Sequence, residues 1–128
     1  MELKTINFSS SSTQFYFNAA MPQLKKICGQ SSAIIITDDH LFDAHREKFR
    51  GWNVIVLKPG EEHKVQETVT ELIEQLVEMK ADRQTTLVGI GGGVITDITG
   101  YTASVYMRGI RFGFVPTSIL SLVDASIG

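Results

Sequence analysis

Three consecutive glycines, Gly91-Gly92-Gly93, follow the apolar run Thr85–Ile90 and precede a second apolar stretch. Glycines between a strand and a helix let the backbone approach a ligand closely. They also leave the first N–H groups of the helix pointing at it, which suits a pyrophosphate. The same residues equally describe a plain tight turn. The dinucleotide fingerprint G-x-G-x-x-G would need glycine at position 96, where Thr96 stands. It would also place its ribose-binding acid about 20 residues after the glycines. Here Asp38 and Asp39 precede them, so a nucleotide site would have to sit on a different topology. Both acids follow an apolar run, where a carboxylate either binds two ribose hydroxyls or caps the next helix. His40 reads as a solvated loop histidine.

Further along, Asp97 is expected in the first turn of the helix after the glycines, where the dipole favours an acid. As a ligand group it would accept a hydrogen bond from a ribose or nicotinamide. Arg108 and Arg111 flank Gly109. They read either as cations at a helix C-terminus or, for Arg108, as a forked donor for phosphate or carboxylate. Asp97 and Arg108, on one predicted helix, would stand about 16 Å apart at 1.5 Å per residue. That is too far to reach the same ligand atoms within one chain. Glu61-Glu62-His63-Lys64 reads as charge at a helix start. Asp124, among Leu122, Val123 and Ile127, needs a partner if buried; it is a site residue or an exposed one. One cysteine, Cys28, and three histidines offer few metal ligands. His40 and His45 are not at the i, i+4 spacing of a helical metal pair, and no metal is assigned to them.

The elements that must position these residues alternate. Short apolar runs at 6–8 and 15–17 flank Ser9-Ser10-Ser11-Ser12-Thr13, whose hydroxyls favour a turn. Met21–Cys28 reads as a short helix with Pro22 near its start. Ala33–Thr37 and Asn53–Leu57 read as strands buried on both faces, with a helix over Leu41–Phe49 closed by Gly51. Val65, Val69, Leu72, Ile73, Leu76 and Val77 recur at helical spacing, with glutamates on the other face, and predict a helix over about residues 63–80. Thr85–Ile90 is a third strand, and Val94–Met107 a helix apolar almost all round and therefore expected to be buried. Arg111–Val115 is a fourth strand, and Pro116-Thr117-Ser118 opens a last helical segment. Apolar strands alternating with helices predict a doubly wound, Rossmann-like parallel α/β sheet. Ligands bind at the carboxyl ends of such strands, where Asp38, Asp39, the Lys58–Lys64 stretch, the glycines and Pro116-Thr117-Ser118 all fall.

The 128 residues are about one domain by length. With 43% hydrophobic and 20% charged residues, composition is ordinary for a globular chain and excludes a disordered tail or a disulfide scaffold. A net charge of −2 gives no basic excess, so nucleic acid is not expected as a partner. No run approaches the roughly 20 apolar residues of a membrane span, and the start does not resemble a signal peptide. A reducing, cytoplasmic setting is expected. The mostly apolar end, Ile119 to Gly128, either docks inside the domain or marks a piece of a longer chain.

Four blocks together resemble the 3-dehydroquinate synthase family: Gly91-Gly92-Gly93-Val94-Ile95-Thr96-Asp97, Tyr106–Phe112, Val115-Pro116-Thr117-Ser118 and Val123–Gly128. Leu57–Lys64, with its Gly-Glu-x-x-Lys core, is also similar. The resemblance implies an enzyme that converts 3-deoxy-D-arabino-heptulosonate 7-phosphate to 3-dehydroquinate and phosphate in the shikimate pathway. It implies NAD+ reduced and reoxidised in each turnover, a divalent metal (zinc or cobalt) and a homodimer. Residues 1–128 would be the NAD-binding α/β domain, with the metal held by a helical C-terminal domain absent from the chain. Such a chain alone is expected to be inactive.

By position, the resemblance assigns Asp38, Asp39 and His40 to the adenosine end of the cofactor, and Glu61 and Lys64 to a pair beside it. Gly91, Gly92, Gly93 and Val94 fall at the pyrophosphate loop, Asp97 after it, and Thr117 and Ser118 near the cofactor. Arg108, supplied across the dimer, and Asp124 would bind the sugar-phosphate substrate. Thr96 stands where this family usually has glycine, and its side chain is expected to crowd the helix–strand contact. Two rivals remain open. One is a related sugar-phosphate cyclase or an iron-type alcohol or glycerol dehydrogenase, which also carries three glycines with an aspartate four positions on. The other is a stand-alone nucleotide-binding module. The Arg108–Phe112 block favours a cyclase over a dehydrogenase.

Overall fold

A computed structural model describes residues 2–7, 12–17, 24, 28–58 and 65–116. Strands β1 (Glu2–Asn7) and β2 (Ser12–Phe17) pair antiparallel, with Asn7 opposite Ser12. Their ladder extends well beyond the predicted apolar runs, because its bonds come from the backbone, which polar residues supply equally. The predicted helix over Met21–Cys28 lies outside the described residues except at Leu24 and Cys28: Leu24 is helical and its carbonyl accepts the Cys28 N–H at 2.9 Å.

Strands β3 (Ala33–Asp38), β4 (Asn53–Leu57), β5 (Thr86–Gly91) and β6 (Arg111–Pro116) form one parallel sheet in the order β4-β3-β5-β6. Helices α1 (Asp39–Ala44), α2 (Val65–Glu78) and α3 (Gly93–Val105) make the crossovers. The chain steps one way from β3 to β4, then back past β3 to β5 and on to β6. A single hand of crossover therefore puts α1 on one face and α2 and α3 on the other. Two cores result. Ile34 and Ile36 pack with Leu72, Leu76, Leu87 and Ile98, while Ile35 packs with Leu24, Phe49, Val88 and Ile90. The sheet is doubly wound, as the alternation of elements predicts.

Several expectations are corrected. Burial on both faces holds for β3 and β5, but β4 and β6 are the sheet edges, and Val56 and Phe112 are exposed. The helix expected over Leu41–Phe49 is broken. α1 stops at Ala44, His45 takes a non-helical conformation, and Arg46–Phe49 forms a 3-10 turn. No residue of α1 is fully buried and only Phe42 packs against the core, so no continuous apolar stripe holds it to a longer course. Gly51, at φ +84, closes the segment as expected. Helix α3 is not buried all round. Ile95, Ile98, Thr99 and Ala103 face the core, while Val94, Tyr101 and Val105 are 54%, 57% and 47% exposed. The sheet and α2 cover only one side of it.

Helix α2 ends in a Schellman motif: Ala81 N–H donates to the Leu76 carbonyl and Lys80 N–H to that of Val77, at 2.9 and 3.0 Å. The left-handed position, normally glycine, is Lys80 at φ +59. Ala81 then packs into the core that contains Leu76.

Candidate functional site

Crossover direction reverses between β3 and β5. The carboxyl ends of two such strands part to leave a crevice, and ligands of doubly wound sheets bind there. Just beneath it, the buried Thr37 hydroxyl donates to the Ile90 carbonyl at 2.8 Å, linking paired positions of the two strands. Asp38 and Gly91 follow directly. The ends stand in one row, since Asp38 pairs with Leu57 and Gly91 with Pro116. The acid-first order that departs from the dinucleotide fingerprint thus has a topological reason. The first and third parallel strands of this chain, not a strand and its successor, line the crevice.

Only Gly92 lies between strand and helix. Gly91 is the last residue of β5 and Gly93 the first of α3. The three have separate tasks. A Cβ on Gly91 would fall 2.9 Å from Ile95, and one on Gly89 would fall 2.5 Å from the Thr99 hydroxyl, so α3 presses its backbone against β5. A Cβ on Gly93 would meet nothing within 4 Å. Packing among the described residues does not require glycine there, whereas a ligand approaching the helix start would. Gly92 caps α3 with no side-chain hydrogen bond, so no side-chain cap occupies the first amides of the helix. This backbone suits an anionic pyrophosphate. Val94, in the same turn, is exposed.

Thr96 does not crowd the helix–strand contact. It is fully buried, and its hydroxyl turns back onto the Gly93 carbonyl at 3.1 Å and that of Gly92 at 3.3 Å. The close contact is made by glycines of the strand, at 89 and 91, so the helix can carry a side chain at 96.

The Asp38 carboxylate accepts the Leu41 N–H at 2.7 Å and so caps α1, one of the two readings of this acid. Asp39 and His40 lie in the first turn of α1 rather than in a loop. The His40 side chain is 94% exposed and 4.0 Å from the Asp39 carboxylate, a solvated contact of little energetic weight. Asp97 is exposed and sits in the second turn of α3, not the first, because the helix already begins at Gly93. The dipole argument for an acid there weakens accordingly.

Arg108 is not brought to this crevice. Helix α3 runs back from the carboxyl edge of the sheet for 13 residues, about 20 Å at 1.5 Å per residue. Arg108 is also not on that helix, which ends at Val105. It lies in a turn, Tyr106–Arg108, before β6 starts at the opposite edge. Glu61, Lys64, Thr117, Ser118 and Asp124 lie outside the described residues. Among the described residues, no three His, Cys, Asp or Glu side chains gather where they could hold a metal ion, and no step is derived through one. No described helix is long and apolar enough to cross a membrane.

Sequence reasoning missed the Thr37 tie and the role of Gly89. The signal for each was present. Thr37 is the one hydroxyl in an otherwise aliphatic strand, and Gly89 is a glycine inside a strand, which marks close backbone approach.

Residues 54–128 match the family model described as 3-dehydroquinate synthase N-terminal. The 3-dehydroquinate synthase of Pyrococcus furiosus is 39% identical over 116 residues, 86% of this chain and 35% of that protein. That of Alkaliphilus metalliredigens is 36% identical over 141 aligned positions, covering 100% of this chain and 38% of its own. The chain thus spans about a third of the length of these curated relatives. A solved 2-deoxy-scyllo-inosose synthase, complexed with carbaglucose-6-phosphate, NAD+ and Co2+, superposes with a TM-score of 0.77 at 29% identity. That match covers 96% of this chain and 37% of the other.

Proposed function

Because the chain belongs to the 3-dehydroquinate synthase family, we propose that it is the NAD-binding part of an enzyme making 3-dehydroquinate and phosphate from 3-deoxy-D-arabino-heptulosonate 7-phosphate. The observation that carries this reading is the α3 start without a side-chain cap. It lies beside the acid-tipped end of β3, and Gly93 is open to an incoming ligand. When bound, NAD+ would supply a transient oxidation that is reversed within the turnover. Phosphate elimination and, at the end, ring closure would complete the proposed conversion.

The residues of this chain bind and orient. Amides at Gly93 and Val94 would hold the pyrophosphate. Asp39, and the part of Asp38 not spent on its cap, would accept from ribose hydroxyls, with His40 at the same adenosine end. Glu61, Lys64, Asp97, Thr117 and Ser118 complete the cofactor contacts in this proposal. Asp124 and Arg108 would bind the sugar phosphate. Arg108 would do so in the site of a second copy, because α3 separates it from the glycines of its own chain. The apolar face of Val94, Tyr101 and Val105, uncovered among the described residues, supports such a homodimer. A divalent metal, zinc or cobalt, would be held by a helical C-terminal part of the full-length protein. A reducing, cytoplasmic location belongs to the same proposal, and the free thiol of Cys28 suits it.

Phosphate release from the heptulosonate phosphate by the full-length protein, dependent on added NAD+, is the expected result. A folded, metal-loaded full-length protein that releases none would overturn the assignment. The 128-residue chain alone is expected to release none.

A further inference from the structure

Between α3 and β6 three consecutive residues have positive φ: Met107 at +47, Arg108 at +67 and Gly109 at +105. The Gly109 N–H donates to the Tyr106 carbonyl at 2.8 Å. Positive φ at both central residues is the pattern of a type I′ turn, which glycine and asparagine dominate. Here Met and Arg, both with long side chains, occupy those positions. Such backbone persists only where its surroundings over-determine it, and it concentrates at functional sites.

The surroundings do so on both flanks. After the turn, buried Ile110 donates its N–H to the Ala103 carbonyl at 2.9 Å, closing the excursion against the end of α3. Before it, Tyr106 is 6% exposed, and its hydroxyl donates to the Ala81 carbonyl at 2.7 Å. Ala81 is itself fixed by the Schellman motif at the end of α2. The C-terminal cap of one helix thus holds the terminal turn of the next. Between the clamped flanks, Met107 and Arg108 are exposed, and Arg108 makes no ion pair among the described residues.

We infer that Tyr106 is a positioning residue: through the Ala81 carbonyl it locks the strained turn that aims Arg108 at the phosphate or carboxylate of the substrate. The inference rests on the proposed function and adds to it the device that pre-orients Arg108. With the backbone of the turn fixed before binding, only the Arg108 side chain has to be ordered when it engages an oxyanion.

The test uses the full-length protein with Tyr106→Phe, which keeps the buried ring and removes only the hydroxyl. Hydrogen exchange at the Gly109 amide should rise about tenfold, with the amides of β3 and β5 unchanged. The KM for the sugar phosphate should rise about fivefold, with that for NAD+ held within about twofold. Met107→Gly supplies the opposite perturbation. It relieves the unfavourable φ, so Tm should hold or rise, yet the KM for the sugar phosphate should still increase because the turn is loosened. A Tyr106 that merely supports the fold would lower Tm and leave both KM values unchanged. Unaltered Gly109 exchange in Tyr106→Phe, or an unaltered sugar-phosphate KM in both variants, overturns the inference. Wild-type protein that turns over no heptulosonate phosphate overturns the proposed function instead, and the exchange measurement still decides whether the hydroxyl holds the turn.

Discussion

The hydroxyl of Thr37 reaches across from β3 to the carbonyl of Ile90 on β5, at 2.8 Å and shielded from solvent. It ties the two strands directly beneath the point where their ends part. Replacing it with valine keeps the shape and removes the donor. Thr37→Val should lose about 1–3 kcal/mol of stability, the usual consequence of leaving a buried polar group without its partner. Thermal unfolding would measure this, and NAD+ affinity of the full-length protein should weaken in parallel as the crevice loosens.

The glycines separate packing from binding. Gly89→Ala sets a Cβ 2.5 Å from the Thr99 hydroxyl and must push α3 off the sheet. A loss of about 1–3 kcal/mol is expected. Gly93→Ala meets nothing within 4 Å and has no positive φ to strain. Its stability should hold or rise by about 0.5–1 kcal/mol. NAD+ titration calorimetry on the full-length protein should nevertheless show weaker binding. An unchanged NAD+ affinity in Gly93→Ala would count against the pyrophosphate reading of the loop.

Thr102 sits fully buried on α3, and its hydroxyl has no hydrogen-bond partner among the described residues. An unsatisfied buried hydroxyl is a liability that an apolar group of similar shape removes. Thr102→Val is expected to raise stability by about 1 kcal/mol, read as an upward shift of Tm with NAD+ binding unaltered.

Burial pushes the Cys28 thiol above its ordinary value of 9.0. The folded chain therefore keeps this proton to higher pH than the unfolded chain does. Well below pH 9.0 both states are protonated and the contribution is complete. As pH rises past that value the unfolded state ionises first, and stability falls. The decline in Tm on the alkaline side should be shallower in Cys28→Ala. Native Cys28 should also react with a thiol reagent more slowly than the unfolded chain does near neutral pH.

What could be read from the residues follows from how many sides of an element are covered. Ala33–Thr37 and Thr85–Ile90 are central strands, so their unbroken apolar runs name them directly. Val56 and Phe112 belong to edge strands, and there the same apolar signal overstates burial. The amphipathic pattern of α2 was legible to within a few residues, because its stripe packs on a single core. By contrast α1 has no fully buried residue and only Phe42 packs against a core, so its early stop at Ala44 had little signature. Gly91 to Gly93 do lie at the strand–helix junction that their sequence marks. Their division among strand, cap and helix depends on where the hydrogen-bonded register ends, which composition does not encode. Asp97 moved from the first to the second turn for that reason. The left-handed Met107 and Arg108 were invisible as well, since nothing in those side chains announces positive φ.

The row of strand ends also bears on how the site comes into being. Thr37 and Ile90 lie 53 positions apart along the chain. Between them in sequence come α1, β4 and α2, so pairing β5 with β3 closes a long loop. Contacts of such separation form late and slowly. A nascent chain, or an intermediate lacking β5, therefore has no crevice at all. A ligand bound there draws only on the completed sheet, so it should slow global unfolding rather than rescue a partly folded state.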